Sequence, residues 1–160
     1  MRPIPEGRLN KKMISVWRIS GLVGTILLAL LIFAGAVPAI ILMGYKAFFL
    51  SISVGLCLIL FILFVIVLPK LRWARWRYAV LDDEIDIYRG IIVRKRIIVP
   101  LIRVQYTDTS QGPFLRAFGL ASVNVSTAGG QESIPGLLIG DANELRDRVV
   151  NLAKLVHEDV

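Results

Sequence analysis

The chain has one cysteine and one histidine among its 160 residues, and those two scarcities remove much of the chemistry a protein of this size can carry. Cys57 has no partner for an intrachain disulfide, which fits a reducing compartment. His157 sits close to the C-terminus, where a frayed surface side chain is expected. Zinc-ligand spacing, a P-loop and a Gly-x-Ser-x-Gly elbow are all missing. Asp82, Asp83, Glu84 and Asp86 form an acidic cluster, but without EF-hand spacing or a supporting His or Cys they read as a solvated turn opening a strand. A nucleophile with a tuned base in reach is absent. The expectation is a non-enzyme with no cofactor and no metal.

Charge is missing from two long stretches, Ile19–Tyr45 and Ala47–Leu68, which meet at Lys46. At about 1.5 Å of rise per residue these helices reach roughly 40 and 33 Å, enough for each to cross a hydrocarbon core of about 30 Å. A transmembrane hairpin over residues 19–69 follows. With no acid or base inside either span, an ion or proton path is not expected. A signal peptide is a weaker reading: Ala34-Gly35-Ala36 resembles a cleavage site, yet the apolar run continues beyond it to Tyr45.

The formal charge of +7 is unevenly placed. Residues 1–18, a basic N-terminal segment, carry net +4; Lys70, Arg72, Arg75 and Arg77 add four more positive charges; residues 78–160 carry net −2. Basicity therefore flanks the hairpin and argues against nucleic-acid binding by the folded region. Short basic flanks stay cytoplasmic, so both termini are expected inside, with Gly44-Tyr45-Lys46 outside. Asn124-Val125-Ser126 is then an unused glycosylation sequon.

Within the spans, Gly21, Gly24, Gly35 and Ala39 are small, Pro38 is expected to kink the first helix, and Ser51 and Gly55 lie four apart. Gly35, Ala39, Ser51 and Gly55 are the expected helix-packing residues. Residues 70–78, KLRWARWRY, interleave bases with aromatics, as suits a headgroup region. Lys70, Arg72, Trp73, Arg75 and Trp76 are the expected interfacial anchor.

From there the periodicity changes to two. Trp76 to Val80, Ile85 to Tyr88, Ile91 to Val99, Ile102 to Thr107, Ala121 to Thr127 and Gln131 to Ile134 read as strands. Asp82-Asp83, a tight Arg89-Gly90 and Gly129-Gly130 mark turns, and Pro100 and Pro135-Gly136 mark stops. Asp141 with Glu144 is a capping box for a final helix whose Ala142, Leu145, Val149, Leu152, Ala153 and Val156 form one apolar stripe. Arg94-Lys95-Arg96 is the remaining basic cluster. It reads first as a solvated strand guarded against edge pairing, and otherwise as a contact for an acidic partner or anionic lipid.

A strand meander closed by one C-terminal helix outlines an α+β domain over 73–158, a PH-like antiparallel barrel or sandwich capped by an amphipathic helix and joined to the membrane α-helical hairpin. Trp76-Arg77-Tyr78, Tyr88-Arg89-Gly90-Ile91-Ile92, Ile98-Val99-Pro100, Arg103-Val104-Gln105, Gln111-Gly112-Pro113, Phe118-Gly119-Leu120 and Thr127-Ala128-Gly129-Gly130, in that order, resemble the bacterial PH-domain family of membrane proteins, of YdbS-like type. The resemblance implies a multi-pass protein of the cell membrane acting as a non-catalytic interaction module. It also implies a partner, a larger membrane protein with several related PH-like domains, or self-association; one such pair is linked to resistance against antimicrobial peptides. The alternative is an anionic-lipid-binding or lipid-sensing domain of the cytoplasmic leaflet. Phosphoinositide binding is not expected: eukaryotic PH domains hold phosphates in a basic first hairpin loop, and here that loop is Asp82-Asp83-Glu84.

Overall fold

The computed structural model of the chain describes residues 3–43 and 46–158, in two compact units. Residues 14–70 form a helical pair; residues 3–13 and 71–158 form a strand unit.

In the helical pair, α1 (Lys12–Met43) and α2 (Lys46–Phe61) are followed by a π-helical turn (Ile62–Val67) and α3 (Leu68–Arg75). Lys12–Gly35 and Leu50–Arg75 are long and apolar enough to cross a membrane, and most of their large apolar side chains face outward. The second apolar run ends at Leu68, and its helix continues beyond that residue. It runs on to Arg75, because the π turn carries the chain past the proline: the Leu68 N–H reaches five residues back to the Leu63 carbonyl. In that wider register the next donor, for Phe64, would come from Pro69, which has no N–H. The same Phe64 carbonyl faces Gly21 of α1, where a Cβ would come within 2.5 Å of its oxygen. The hairpin tip at Gly44 and Tyr45, and the side chains of Pro38, Ala39 and His157, lie outside the described residues.

The strand unit contains two antiparallel three-stranded sheets, ordered β1-β2-β3 and β4-β5-β6. The first holds β1 (Arg77–Val80), β2 (Glu84–Arg89) and β3 (Lys95–Pro100). A 3-10 turn, Leu101–Arg103, leads to β4 (Val104–Ser110), the short α4 (Pro113–Ala117), β5 (Leu120–Thr127), β6 (Gly130–Leu138) and α5 (Ile139–Glu158). Alternation places Ile85, Ile87 and Val99 of the first sheet, and Val123, Val125 and Ile134 of the second, in one core with Leu101 and Leu120. From α5, Ala142, Val149 and Ala153 are buried, all members of the apolar stripe. This is a PH-like sandwich with its C-terminal helix.

Several boundaries differ from the expectation, among them α5, which opens at Ile139 so that Asp141 lies in its first turn and is not its N-cap. β3 starts at Lys95, not Ile91: Ile85↔Val99 and Ile87↔Ile97 fix the register, and Gly90–Arg94 becomes a five-residue turn. Gly90 adopts φ +120°, and a Cβ there would collide with the Val93 carbonyl, so this turn requires glycine. β6 does not stop at Pro135. It lies at the edge of its sheet, where a missing N–H is tolerated, and a register shift between Ala121 and Val123 on β5 absorbs the irregularity. Ile102 and Arg103, expected to open the fourth strand, belong to the 3-10 turn.

Residues 3–13 are woven into the strand unit. Gly7 bridges Tyr78 at the free edge of β1, with the Tyr78 N–H donating to the Gly7 carbonyl at 3.0 Å. The Asn10 N–H donates to the Gly136 carbonyl at 2.9 Å, and the Trp73 indole N–H donates to the Leu9 carbonyl at 2.9 Å. Leu9 and Met13 are 2% and 5% exposed. Gly136, at φ +70°, leaves the room Met13 fills: a Cβ there would lie 2.8 Å from its Cγ.

Candidate interaction site

The three bases of Arg94-Lys95-Arg96 separate on folding. Arg96 stands opposite Tyr88, diagonal to Asp86 on the same face of the first sheet. Its Nε donates to both Asp86 carboxylate oxygens at 3.0 and 3.1 Å, and its terminal nitrogen adds a third bond to Asp86 and one to the Pro3 carbonyl at 3.0 Å. Asp86 is buried, so this bidentate pair satisfies a carboxylate withdrawn from water. The Asp86 hydrogen bonds hold the Arg96 guanidinium above its usual pKa, with desolvation working against them. Arg96 is thus a fastener between β2, β3 and the N-terminal strap, while Arg94 and Lys95 are exposed.

Those two residues stand at the end of a turn of unusual composition. Ile92 is 95% exposed and Val93 79%. At the other end of β2, the β1–β2 turn is Leu81-Asp82-Asp83, also exposed, and the Leu101 N–H donates to the Asp83 carbonyl at 2.8 Å. One end of the first sheet is acidic, the other apolar and basic.

Of the juxtamembrane residues, Lys70 and Arg72 are exposed and Arg75 is half-buried. Trp73 is held by Leu9, and Trp76 is buried with the Arg89 guanidinium 5.5 Å over its ring. Arg89 also pairs with Glu132 at 2.9 Å. Both indoles are therefore engaged with the strand unit. Among the small residues of the spans, a Cβ at Gly35 or Gly55 would meet nothing within 4 Å, and the exposed Ser51 donates to the Phe48 carbonyl at 2.9 Å within its own helix. The structure gives the close backbone approach to Gly21.

Of the clefts on the strand unit, two bear on these residues. One, of about 1160 Å³, lies between the outer edge of β3, the start of β4 and the β5–β6 turn, with Ile98 and Ile102 exposed along it. The other, of about 660 Å³, runs between the strap, β1–β2 and Arg148 of α5. Tyr78 lines this second cleft; burial, then the charge of Asp141, pushes its phenol above the usual value. Among the described residues no three His, Cys, Asp or Glu side chains gather to hold a metal. On β5, Asn124 donates to Asp108 at 3.1 Å and to Ser110 at 3.0 Å. This network and the strap contacts escaped sequence reasoning. The polar alternation of Ser122, Asn124 and Ser126 was the only local signal for the network, and it reads equally well as a solvent face.

A PH-like sandwich on two helices of membrane length defines a small membrane protein with one such domain. The chain belongs to the bacterial PH domain family, which it matches over residues 18–153. It is 38% identical, over 161 aligned positions and the full length of both chains, to UPF0699 transmembrane protein YdbS of Bacillus subtilis (strain 168). It is also 30% identical over 79 residues to UPF0699 transmembrane protein YdbT of the same strain, a match covering 49% of this chain and 16% of YdbT. No solved structure matches.

Proposed function

We propose that the protein is a non-catalytic, membrane-anchored PH-like module, both termini cytoplasmic, that assembles with a larger membrane protein carrying related domains. The observation that supports this most is the match to YdbT, in which 49% of this chain aligns with only 16% of a much longer protein. Related domains in a short and a long membrane protein are natural partners, because sandwiches of one kind share edge geometry. The unpaired edge of β3, beside a cleft large enough for an extended segment, is the surface offered to such a partner by strand addition. Envelope stress or resistance to antimicrobial peptides is the process in which this assembly would serve.

The test is purification of the tagged full chain from its native membranes in mild detergent. A co-purifying membrane protein with PH-like domains, released by Ile98→Lys, supports the proposal. A chain that purifies alone, with an unchanged profile in the variant, would sink it.

A further inference from the structure

We infer that the Gly90–Arg94 turn is a lipid-contacting wedge, with Ile92 and Val93 entering the interfacial layer of an anionic bilayer and Arg94 and Lys95 meeting the headgroup phosphates. This goes beyond the partner reading and does not rest on it.

The first observation is exposure. At 95% and 79%, Ile92 and Val93 are more exposed than any described large apolar side chain of the two membrane-length helices, of which the highest is Leu31 at 69%. Hairpin turns in water are built from Gly, Asn, Asp and Ser; beyond Gly90, this one offers two isoleucines, a valine and an arginine. The second observation is that the turn is constructed. Gly90 at φ +120° packs against the Val93 carbonyl, which closes the loop and holds the two β-branched side chains at its outer end.

The third observation is charge. From Ile87 to Ile102 the chain contains no acid. Of its bases, Arg89 is held by Glu132 and Trp76, and Arg96 by Asp86. Arg94 and Lys95 are exposed beside the apolar pair. Apolar side chains flanked by cations match the boundary between acyl chains and anionic headgroups, and a purely apolar protein pocket would leave the cations unused. Because α3 joins the strand unit covalently to a membrane-length helix, the effective concentration of bilayer is high, and a two-residue wedge suffices. The opposite turn, Asp82-Asp83, has the reverse chemistry and serves as an internal control.

The experiment uses the full chain with Cys57→Ser in nanodiscs of phosphatidylcholine with and without phosphatidylglycerol. A nitroxide is placed at Ile92→Cys or, separately, at Asp82→Cys, and its collisions with oxygen and with a water-soluble nickel chelate are measured. In discs containing phosphatidylglycerol, the label at 92 should favour oxygen and meet nickel several-fold less often than the label at 82. Adding Arg94→Glu with Lys95→Glu should return it toward the value at 82. A label at 92 as accessible to nickel as the label at 82, in both lipid compositions, overturns the wedge. So does a label shielded from oxygen and nickel alike, since that reports a protein pocket. To show that the label itself does not drive insertion, hydrogen exchange of the unlabelled chain should slow at residues 91–95 when phosphatidylglycerol is added. Unchanged exchange there counts against the inference.

Discussion

The helical pair and the strand unit are built on opposite packing rules. In the strand unit the sandwich interior is filled by large side chains, Ile85, Ile87, Leu101 and Leu120 among them, all nearly inaccessible. Their removal from water drives folding. In the helical pair most of the described large side chains face outward, and the close approach is made by a residue with no side chain at all, Gly21 against the Phe64 carbonyl. Lipid is as apolar as leucine, so helices in a membrane gain little by burying leucine and more by letting backbones meet. The strand unit should therefore be damaged by making residues smaller, and the helical pair by making them larger.

The largest effect is expected where the strand unit depends on a distant piece of chain. Leu9→Ala with Met13→Ala empties two buried positions at about 2–5 kcal/mol each, against a total stability of about 5–15 for a domain. Melting of the full chain in detergent should lose its cooperative strand transition or shift it far down. An unshifted transition would mean that the strap is not part of the unit. Next is Ile85→Ala, a single cavity costing about 2–5 kcal/mol. The two sites differ in kind. A fragment beginning at Arg75 retains Ile85 but lacks Leu9 and Met13, so it should melt below the full chain's strand unit.

The strap explains where sequence reading stopped short. The alternation of Ile85, Ile87, Val123 and Val125 is visible in the chain because period two follows from strand geometry alone. The amphipathic stripe of α5 is visible for the corresponding reason at period 3.6. Leu9 and Met13 sit in a basic segment with no period, and Met13 fills the room left by Gly136, more than a hundred residues away in sequence. The Asp86–Arg96 pair was hidden by one local choice. A two-residue turn at Arg89-Gly90 would set Asp86 opposite Val93, whereas the five-residue turn sets it opposite Ile98 with Arg96 diagonal to it. A register change by an odd number exchanges the faces of a strand. The bases looked like one cluster because the turn type could not be read. Gly90 signalled that a turn was present but not its length.

The opposite rule is tested in the helical pair, with a smaller expected effect. Gly21→Leu puts a side chain where a Cβ alone would lie 2.5 Å from the Phe64 oxygen, and overpacking of this kind costs about 1–3 kcal/mol. Gly55→Leu, in open space, should cost almost nothing. Unfolding in mixed detergent and dodecyl sulfate, followed by fluorescence transfer between labels on α1 and α2, compares the two. Equal loosening by both variants would break the assignment of the contact to Gly21.

The smallest effect concerns pH and returns to the strand unit. Tyr78 is held by the strap through its backbone, and its phenol is raised above the ordinary value of 10.0, first by burial and then by the charge of Asp141. A raised value means that the folded state holds the proton more tightly than the unfolded state does. The stability this contributes is therefore complete below the unfolded value and falls away as pH climbs from about 10 through the folded value. Tyr78→Phe keeps the ring and the backbone bond to Gly7 but removes the proton. Both proteins share every other titrating group, so the difference between their melting temperatures isolates this one. The wild type should lose ground to the variant between neutral and strongly alkaline pH, and only modestly, because the phenol keeps part of its access to water. A difference that stays constant across that range would show that Tyr78 titrates alike in the folded and unfolded chain, and that the strap leaves its ring as wet as an open turn would.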